Sequence, residues 1–204
     1  MDKGSIHIYC GEGKGKTTAA IGQGIQEASQ GRSVIIIQFM KERNAEAIGF
    51  VQRLEPEIKL FRFQKAEEAF EDLPDAEKAE EIKNLKNALN FARKVLVTEE
   101  CDVLILDEVL GLVEAGVIEA EELRALFEAK GEYTSLILTG IYPAKEIWQY
   151  ADEVTEMVTA YKADSSGIFY AEVKKSTRQL TIYFDNDKII NKSVSARRST
   201  CVPV

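Results

Sequence analysis

Histidine and cysteine are scarce in this chain of 204 residues, which has one His, at position 7, and three Cys, at 10, 101 and 201. The cysteines stand singly and far apart, so their spacing builds no redox pair, zinc-ligand set or disulfide framework. Proline is sparse, at four residues, and tryptophan occurs once. No apolar run approaches the ~20 residues that cross a bilayer. No basic segment leading into an apolar core opens the sequence, so a secretory leader is not expected. A reducing cytoplasm is the simplest compartment. Positive charge is in deficit: 26 Lys and Arg stand against 34 Asp and Glu, a formal net charge of -8. The surface as a whole should not draw nucleic acid or an anionic membrane, and neither is expected as a partner. An anionic ligand must be met by local groups.

What is present is an ordinary globular composition, 45% apolar and 29% charged, long enough for one well-buried α/β domain. The most informative stretch is Gly11-Glu12-Gly13-Lys14-Gly15-Lys16-Thr17-Thr18. It follows an apolar strand-like run, Ile6 to Cys10, and opens a helix-compatible run from Lys16 to Ser29 that should stop near Gly31. Strand, glycine-rich turn and helix start make a phosphate cradle. The glycines let backbone N–H groups turn onto an anion, and the helix adds its positive end. Lys16 can reach bridging phosphate oxygens and the Thr17 hydroxyl can hold Mg2+. The strict pattern asks for glycine where this chain has Cys10.

The rest of the chain alternates strands and helices, which predicts a three-layer α/β/α fold around a mostly parallel sheet. Ser33–Gln38 is an unbroken apolar run of the kind that serves a doubly covered parallel strand. A short helix is expected around Ala45–Arg53, a strand at Lys59–Phe63 and an acidic loop over 66–74. Ile82, Leu85, Leu89, Ala92 and Leu96 define one face of a long helix, about Ala76 to Val97, capped by Asp72 or Asp75. A helix over Glu119–Lys130 should end on Gly131, a strand spans Leu136–Thr139, a helix runs from Pro143 to Tyr150, and Val154–Thr159 forms a last parallel strand. Ile168–Val173, Thr181–Phe184 and Lys188–Ile190, with a turn at Asp185–Asp187, then read as a β-hairpin-like extension. The domain division expected is 1–175 for the nucleotide-binding domain and 176–204 for the extension.

Val103-Leu104-Ile105-Leu106-Asp107-Glu108 reads as a buried strand that delivers two carboxylates at its C-terminal end, where ligands of open α/β sheets collect. Asp107 is the candidate partner of the magnesium ion, directly or through another ligand. Glu108 could act as a base, orient water or assist the metal. The catalytic candidates are therefore Lys16, Asp107 and Glu108. Gln38–Lys41 and Thr139-Gly140 fall at the same edge of the sheet.

Residues 6–20 resemble the P-loop type corrinoid adenosyltransferases, and further pieces agree in order: Gln38-Phe39-Met40-Lys41, Asp102–Glu108, Thr139-Gly140 and Ala151–Met157. The likeness covers roughly residues 4–172. It implies a RecA-like sheet, a homodimer, ATP as adenosyl donor to a corrinoid cobalt with triphosphate left over, and a flavoprotein as possible reductant. It also implies that the terminal phosphate lies deepest in the loop, and it points to Phe70 and Lys41 as corrinoid-binding residues. Against the family pattern, Glu12 stands for Asn, Gln26 for Arg, and Ile141 for the Arg of Thr-Gly-Arg. Two other readings are a different P-loop ATPase or transferase, in which Glu108 activates water or an acceptor hydroxyl, and a non-catalytic nucleotide or corrinoid binder.

Overall fold

The aliphatic runs Val34–Ile37, Val103–Leu106 and Leu136–Leu138 cannot leave either face to water, and the sheet they build is covered on both. The computed structural model describes residues 3–40, 51–63 and 70–160, and three strands beyond them, at 169–174, 179–184 and 187–193. The chain divides into two units, Met1–Thr159 and Ala160–Val204.

In the first unit the elements run β1 (Ile6–Cys10), α1 (Lys16–Ser29), β2 (Val34–Gln38), β3 (Ile58–Arg62), α2 (Asp75–Val97), β4 (Val103–Asp107), α3 (Gly111–Glu114), α4 (Ala120–Ala129), β5 (Ser135–Thr139) and β6 (Glu153–Glu156). The six strands form one sheet in the order β3-β2-β4-β5-β1-β6, and every pairing is parallel. Alternation along the strands divides the core. Ile35, Ile37, Leu104, Leu106, Leu136 and Leu138 face the side that packs against Leu85, Leu89 and Leu96 of α2 and Leu123 and Leu126 of α4. Val34, Ile36, Val103, Ile105 and Ile137 face the other side, with Ala20 and Ile21 of α1. This is the expected three-layer arrangement.

The boundaries differ in instructive ways. The expected helix after Pro143 is a 3-10 helix, Lys145–Tyr150, in which the Trp148 indole N–H donates to the Pro143 carbonyl at 2.6 Å. Of the stretch expected as a helix around 45–53, residues 45–50 lie outside the described residues, and Val51–Leu54 is a 3-10 turn. Strand β6 ends at Glu156, not at Thr159, because the next residues turn to pack on the glycine-rich loop. Neither Asp72 nor Asp75 caps α2; Pro74 occupies the cap position without a side-chain bond. Gly31 has the left-handed backbone expected past the end of α1, φ 82°. Gly131 does not; the Glu99 carboxylate lies against its Cα.

The second unit contains β7 (Phe169–Lys174), β8 (Gln179–Phe184) and β9 (Asp187–Ser193), an antiparallel sheet in sequence order with an irregularity at Ile182/Tyr183. The division expected at 175/176 assigns β7 to the larger domain. No helix among the described residues is long and apolar enough to cross a membrane.

Candidate phosphate-binding site

The loop between β1 and α1 is held from outside by the chain that follows β6. Met157 N–H donates to the Cys10 carbonyl at 2.8 Å, and the Gly13 N–H donates to the Met157 carbonyl, also at 2.8 Å. Gly11 N–H donates to the Ile141 carbonyl at 3.0 Å. A Cβ at Gly11 would lie 2.5 Å from the Met157 carbonyl oxygen, and one at Gly13 would lie 2.7 Å from the Met157 carbonyl carbon and from the Val158 nitrogen. These two glycines admit the Met157 backbone, and their N–H groups are already bonded, that of Gly11 to Ile141 and that of Gly13 to Met157. An anion must therefore be met by the amides further along, at the start of α1. That differs from the expectation for the glycines, of which Gly11 and Gly13 turn their N–H groups to neighbouring backbone. Gly15 has φ 108°, the left-handed step that starts the helix.

The brace predicts a large effect from a small change. Gly13→Ala should lower the thermal unfolding midpoint and weaken nucleotide binding together, since the clash is with backbone that has no rotamer to yield. Calorimetric titration alongside a melt checks this, and unchanged values for both would refute the brace.

Lys16 is buried, and its ammonium donates to the carbonyls of Gly11 at 2.6 Å and Gly13 at 2.7 Å. It lies folded over the loop, at the N-terminus of α1, where a phosphate would take over those donors. Thr17, the next residue, donates its hydroxyl to Asp107 Oδ1 at 2.8 Å. Lys14 and Thr18 are exposed.

Asp107 is completely buried at the end of β4. Its Oδ1 also accepts from the Thr139 hydroxyl at 2.7 Å, and its Oδ2 accepts from the Gln38 amide nitrogen at 2.8 Å. Strand register produces this convergence: Gln38 pairs with Asp107 on one side and with Arg62 on the other, while Leu106 pairs with Leu138. Four polar side chains, Arg62, Gln38, Asp107 and Thr139, thus cap the strand ends on the α1 face. The apolar residues directly below them are Leu60, Ile36, Ile105 and Ile137.

Glu108 follows in a left-handed backbone, φ 64°, and Met40 at the end of β2 has φ 49°. A non-glycine residue held there stores on the order of 1–3 kcal/mol, which tends to occur at functional sites. The Glu108 N–H donates to the Thr139 hydroxyl at 2.9 Å. A Cβ at Gly111 would lie 3.1 Å from Met40 Sδ and 4.0 Å from Glu108 Oε1, so Met40 and Glu108 share the ground above α3.

Beside the loop lies a cavity of about 530 Å³, lined by Gly11, Glu12, Glu114, Ile141, Tyr142, Pro143, Glu156, Val158 and Thr159. Three of these residues are glutamates and none is basic. Its volume is in the range of small-molecule sites. The Cys10 thiol behind the loop is buried, and burial, reinforced by Glu156, pushes its pKa up against the pull of Lys16 and Lys145. Among the described residues no three His, Cys, Asp or Glu side chains group closely enough to hold a metal.

Residues 2–170 match the family model described as ATP:corrinoid adenosyltransferase BtuR/CobO/CobP. The chain belongs to the corrinoid adenosyltransferase family. A relative from Salmonella typhimurium, "Corrinoid adenosyltransferase CobA", is 25% identical over 173 residues, covering 82% of this chain and 83% of its own. A corrinoid adenosyltransferase from a Sinorhizobium species is 29% identical over 169 residues, covering 82% and 78%. Among solved structures, a KaiC-like protein from Pyrococcus horikoshii aligns with a TM-score of 0.50 at 16% identity, over 91% of this chain and 80% of its own, a likeness of fold.

Of the candidate residues, Thr17 and Asp107 are in direct contact, and Lys16 stands next to Thr17 at the start of α1. Phe70 begins a short 3-10 turn, half-buried against the larger core cluster, and is not part of the cavity lining. Lys41 lies outside the described residues. Of the three positions that depart from the family pattern, Glu12 and Ile141 line the cavity and Gln26 is on the exposed side of α1. The partnership of Arg62 with Gln38, and the brace by Met157, had no signal in local sequence.

Proposed function

We propose that this chain is an ATP:corrinoid adenosyltransferase, moving the 5′-deoxyadenosyl group of ATP to Co(I) of a corrinoid and releasing triphosphate. The observation that carries the reading is the bond from Thr17 to Asp107 at the start of α1, next to Lys16 folded over the Gly11 and Gly13 carbonyls, with a cavity of about 530 Å³ against Gly11 and Glu12 of the same loop. The family match to residues 2–170 gives the set its chemistry.

Attack by cobalt on C5′ forms a Co–C bond and breaks the C5′–O bond, so the electron pair leaves with the triphosphate. No proton has to be removed from a nucleophile, and Glu108 is not needed as a general base. The work left to the protein is to align C5′ and to neutralise a highly charged leaving group. Lys16 and the amides at the start of α1 take the phosphates. Thr17 is the residue fitted to hold a magnesium ion: its hydroxyl hydrogen is directed at Asp107, so that a cation would be met by its oxygen. Asp107 accepts three hydrogen bonds and acts by orienting Thr17. Mg2+, when bound, would offset charge on the phosphate oxygens. Phe70 and Lys41 are assigned to the corrinoid side, Glu12, Gly13 and Lys14 to the outer part of the nucleotide loop. A homodimer, a flavoprotein electron donor and a cytoplasmic location complete the reading.

The test is incubation with ATP, Mg2+ and a chemically reduced corrinoid. A light-sensitive Co–C product and stoichiometric triphosphate are expected. ADP and orthophosphate released without corrinoid would replace this reading with a hydrolytic one.

A further inference from the structure

Arg62 ends β3, the edge strand, two strands away from Asp107. Its Nε donates to Gln38 Oε1 at 2.8 Å, and Gln38 Nε2 donates to Asp107 Oδ2 at 2.8 Å. An amide side chain can present either end to a neighbour, because its oxygen and nitrogen have nearly the same shape. A guanidinium can only donate. With Arg62 on one side, the Gln38 oxygen must face Arg62 and the nitrogen must face Asp107. The direction of the amide is thereby fixed from the edge of the sheet.

The consequence travels one bond further. Oδ2 is tied to Gln38, so the carboxylate plane is fixed and Oδ1 is turned to the hydroxyls of Thr17 and Thr139. Thr139 is oriented from its other side by the Glu108 N–H, which makes that hydroxyl a donor to Asp107. The Gln38, Thr17 and Thr139 groups on the carboxylate therefore each have a defined polarity, with the Thr17 hydroxyl hydrogen directed at Oδ1. Burial pulls the Arg62 pKa down and the charge of Asp107 opposes that pull, in keeping with a cation that feels the carboxylate through the intervening amide.

We propose that Arg62 is a positioning residue: by fixing the Gln38 amide it aligns Asp107, and through Asp107 it holds the Thr17 oxygen ready for the cation that accompanies the nucleotide. This rests on the reading of the loop as a Mg-ATP site. Loss of Arg62 lets the Gln38 amide turn its oxygen toward the carboxylate, where two acceptors repel, and Thr17 loses its fixed partner.

The experiment is calorimetric titration of the full chain with ATP, with and without Mg2+. In the parent protein Mg2+ should strengthen binding. Arg62→Met should weaken binding of Mg-ATP by about 10-fold, the usual scale for removing an outer partner of a metal ligand, and change Mg-free ATP binding by less than about 2-fold. Arg62→Lys should recover much of the loss. Gln38→Leu should match Arg62→Met, and the double variant should be no worse than either single one, since all break one chain of bonds. Gln38→Glu, of the same shape, replaces the donor facing Asp107 with an acceptor. It should lose the Mg2+ gain even if Arg62→Met does not fold. Equal weakening with and without Mg2+, additive single effects, or binding unchanged in the variants would overturn the proposal while leaving the nucleotide site standing. Absence of ATP binding in the parent protein would instead remove the functional reading on which the proposal rests.

Discussion

Lys16→Ala should leave a folded protein that turns over ATP about 10²–10³-fold more slowly, the scale on which a single electrostatic contact to developing charge is lost. Two effects compete in this variant. The ammonium donates to the carbonyls of Gly11 and Gly13, so its removal loosens the loop. Those bonds contribute on the order of 1 kcal/mol each net, which for a chain of this size moves the melting midpoint by a few degrees per kcal/mol (about 2–4 °C). A bound polyphosphate depends on this contact, because the lining of the neighbouring cavity holds no basic side chain among the described residues. Steady-state release of triphosphate and a thermal melt separate the two. A variant with near-normal turnover would mean that the polyphosphate lies elsewhere. Lys16→Arg is not expected to rescue, since a planar fork cannot occupy the point between two converging carbonyls.

Asp107→Asn should cost both stability and nucleotide affinity, although it changes one atom. Three donors converge on this fully buried side chain. An amide offers one oxygen. If its nitrogen takes the Oδ2 position it meets the Gln38 NH2, and a Gln38 flip to relieve that contact turns NH2 toward the Arg62 guanidinium. If the nitrogen takes the Oδ1 position it meets two hydroxyl groups, and Thr17 loses the acceptor that orients it. One buried donor pair is mismatched either way, a cost of about 1–3 kcal/mol. Mg-ATP affinity or turnover should fall by about 10–100-fold. Denaturant unfolding and calorimetric binding read the two effects. A variant with normal stability and binding would mean that the convergence of donors is not needed.

How these residues became visible depends on how far apart they are in the chain. Gly11–Thr18 lies within one strand–turn–helix, so its chemistry is legible from spacing alone. Asp107 was legible because four aliphatic residues precede it, which marks a buried strand and its C-terminal end. The three layers followed from strand runs without alternation and from the three- and four-residue steps of α2. Gln38 and Arg62 were not legible as partners. Their contact depends on the parallel register of β2, β3 and β4, which brings together side chains 24 and 69 positions apart. The Met157 brace was hidden for a different reason: it acts through a carbonyl and an N–H, which every residue owns. The same brace explains why β6 ended three residues early, since Met157 bonds Cys10 and Gly13 and the chain then continues over the loop. The shift from α-helix to 3-10 helix after Pro143 reflects packing, in which Ile147 is buried and Trp148 reaches back to Pro143, rather than any local signal.

The glutamates around the cavity set the terms on which a nucleotide arrives. Glu12, Glu114 and Glu156 line the cavity beside the loop, and their charge should oppose the approach of a bare polyphosphate. The doorway favours a guest whose charge is already masked by its counter-ion. Dissolved salt should therefore ease admission rather than hinder it, the reverse of what a basic entrance would do, over the ~10 Å reach of such fields at 0.1 M ionic strength.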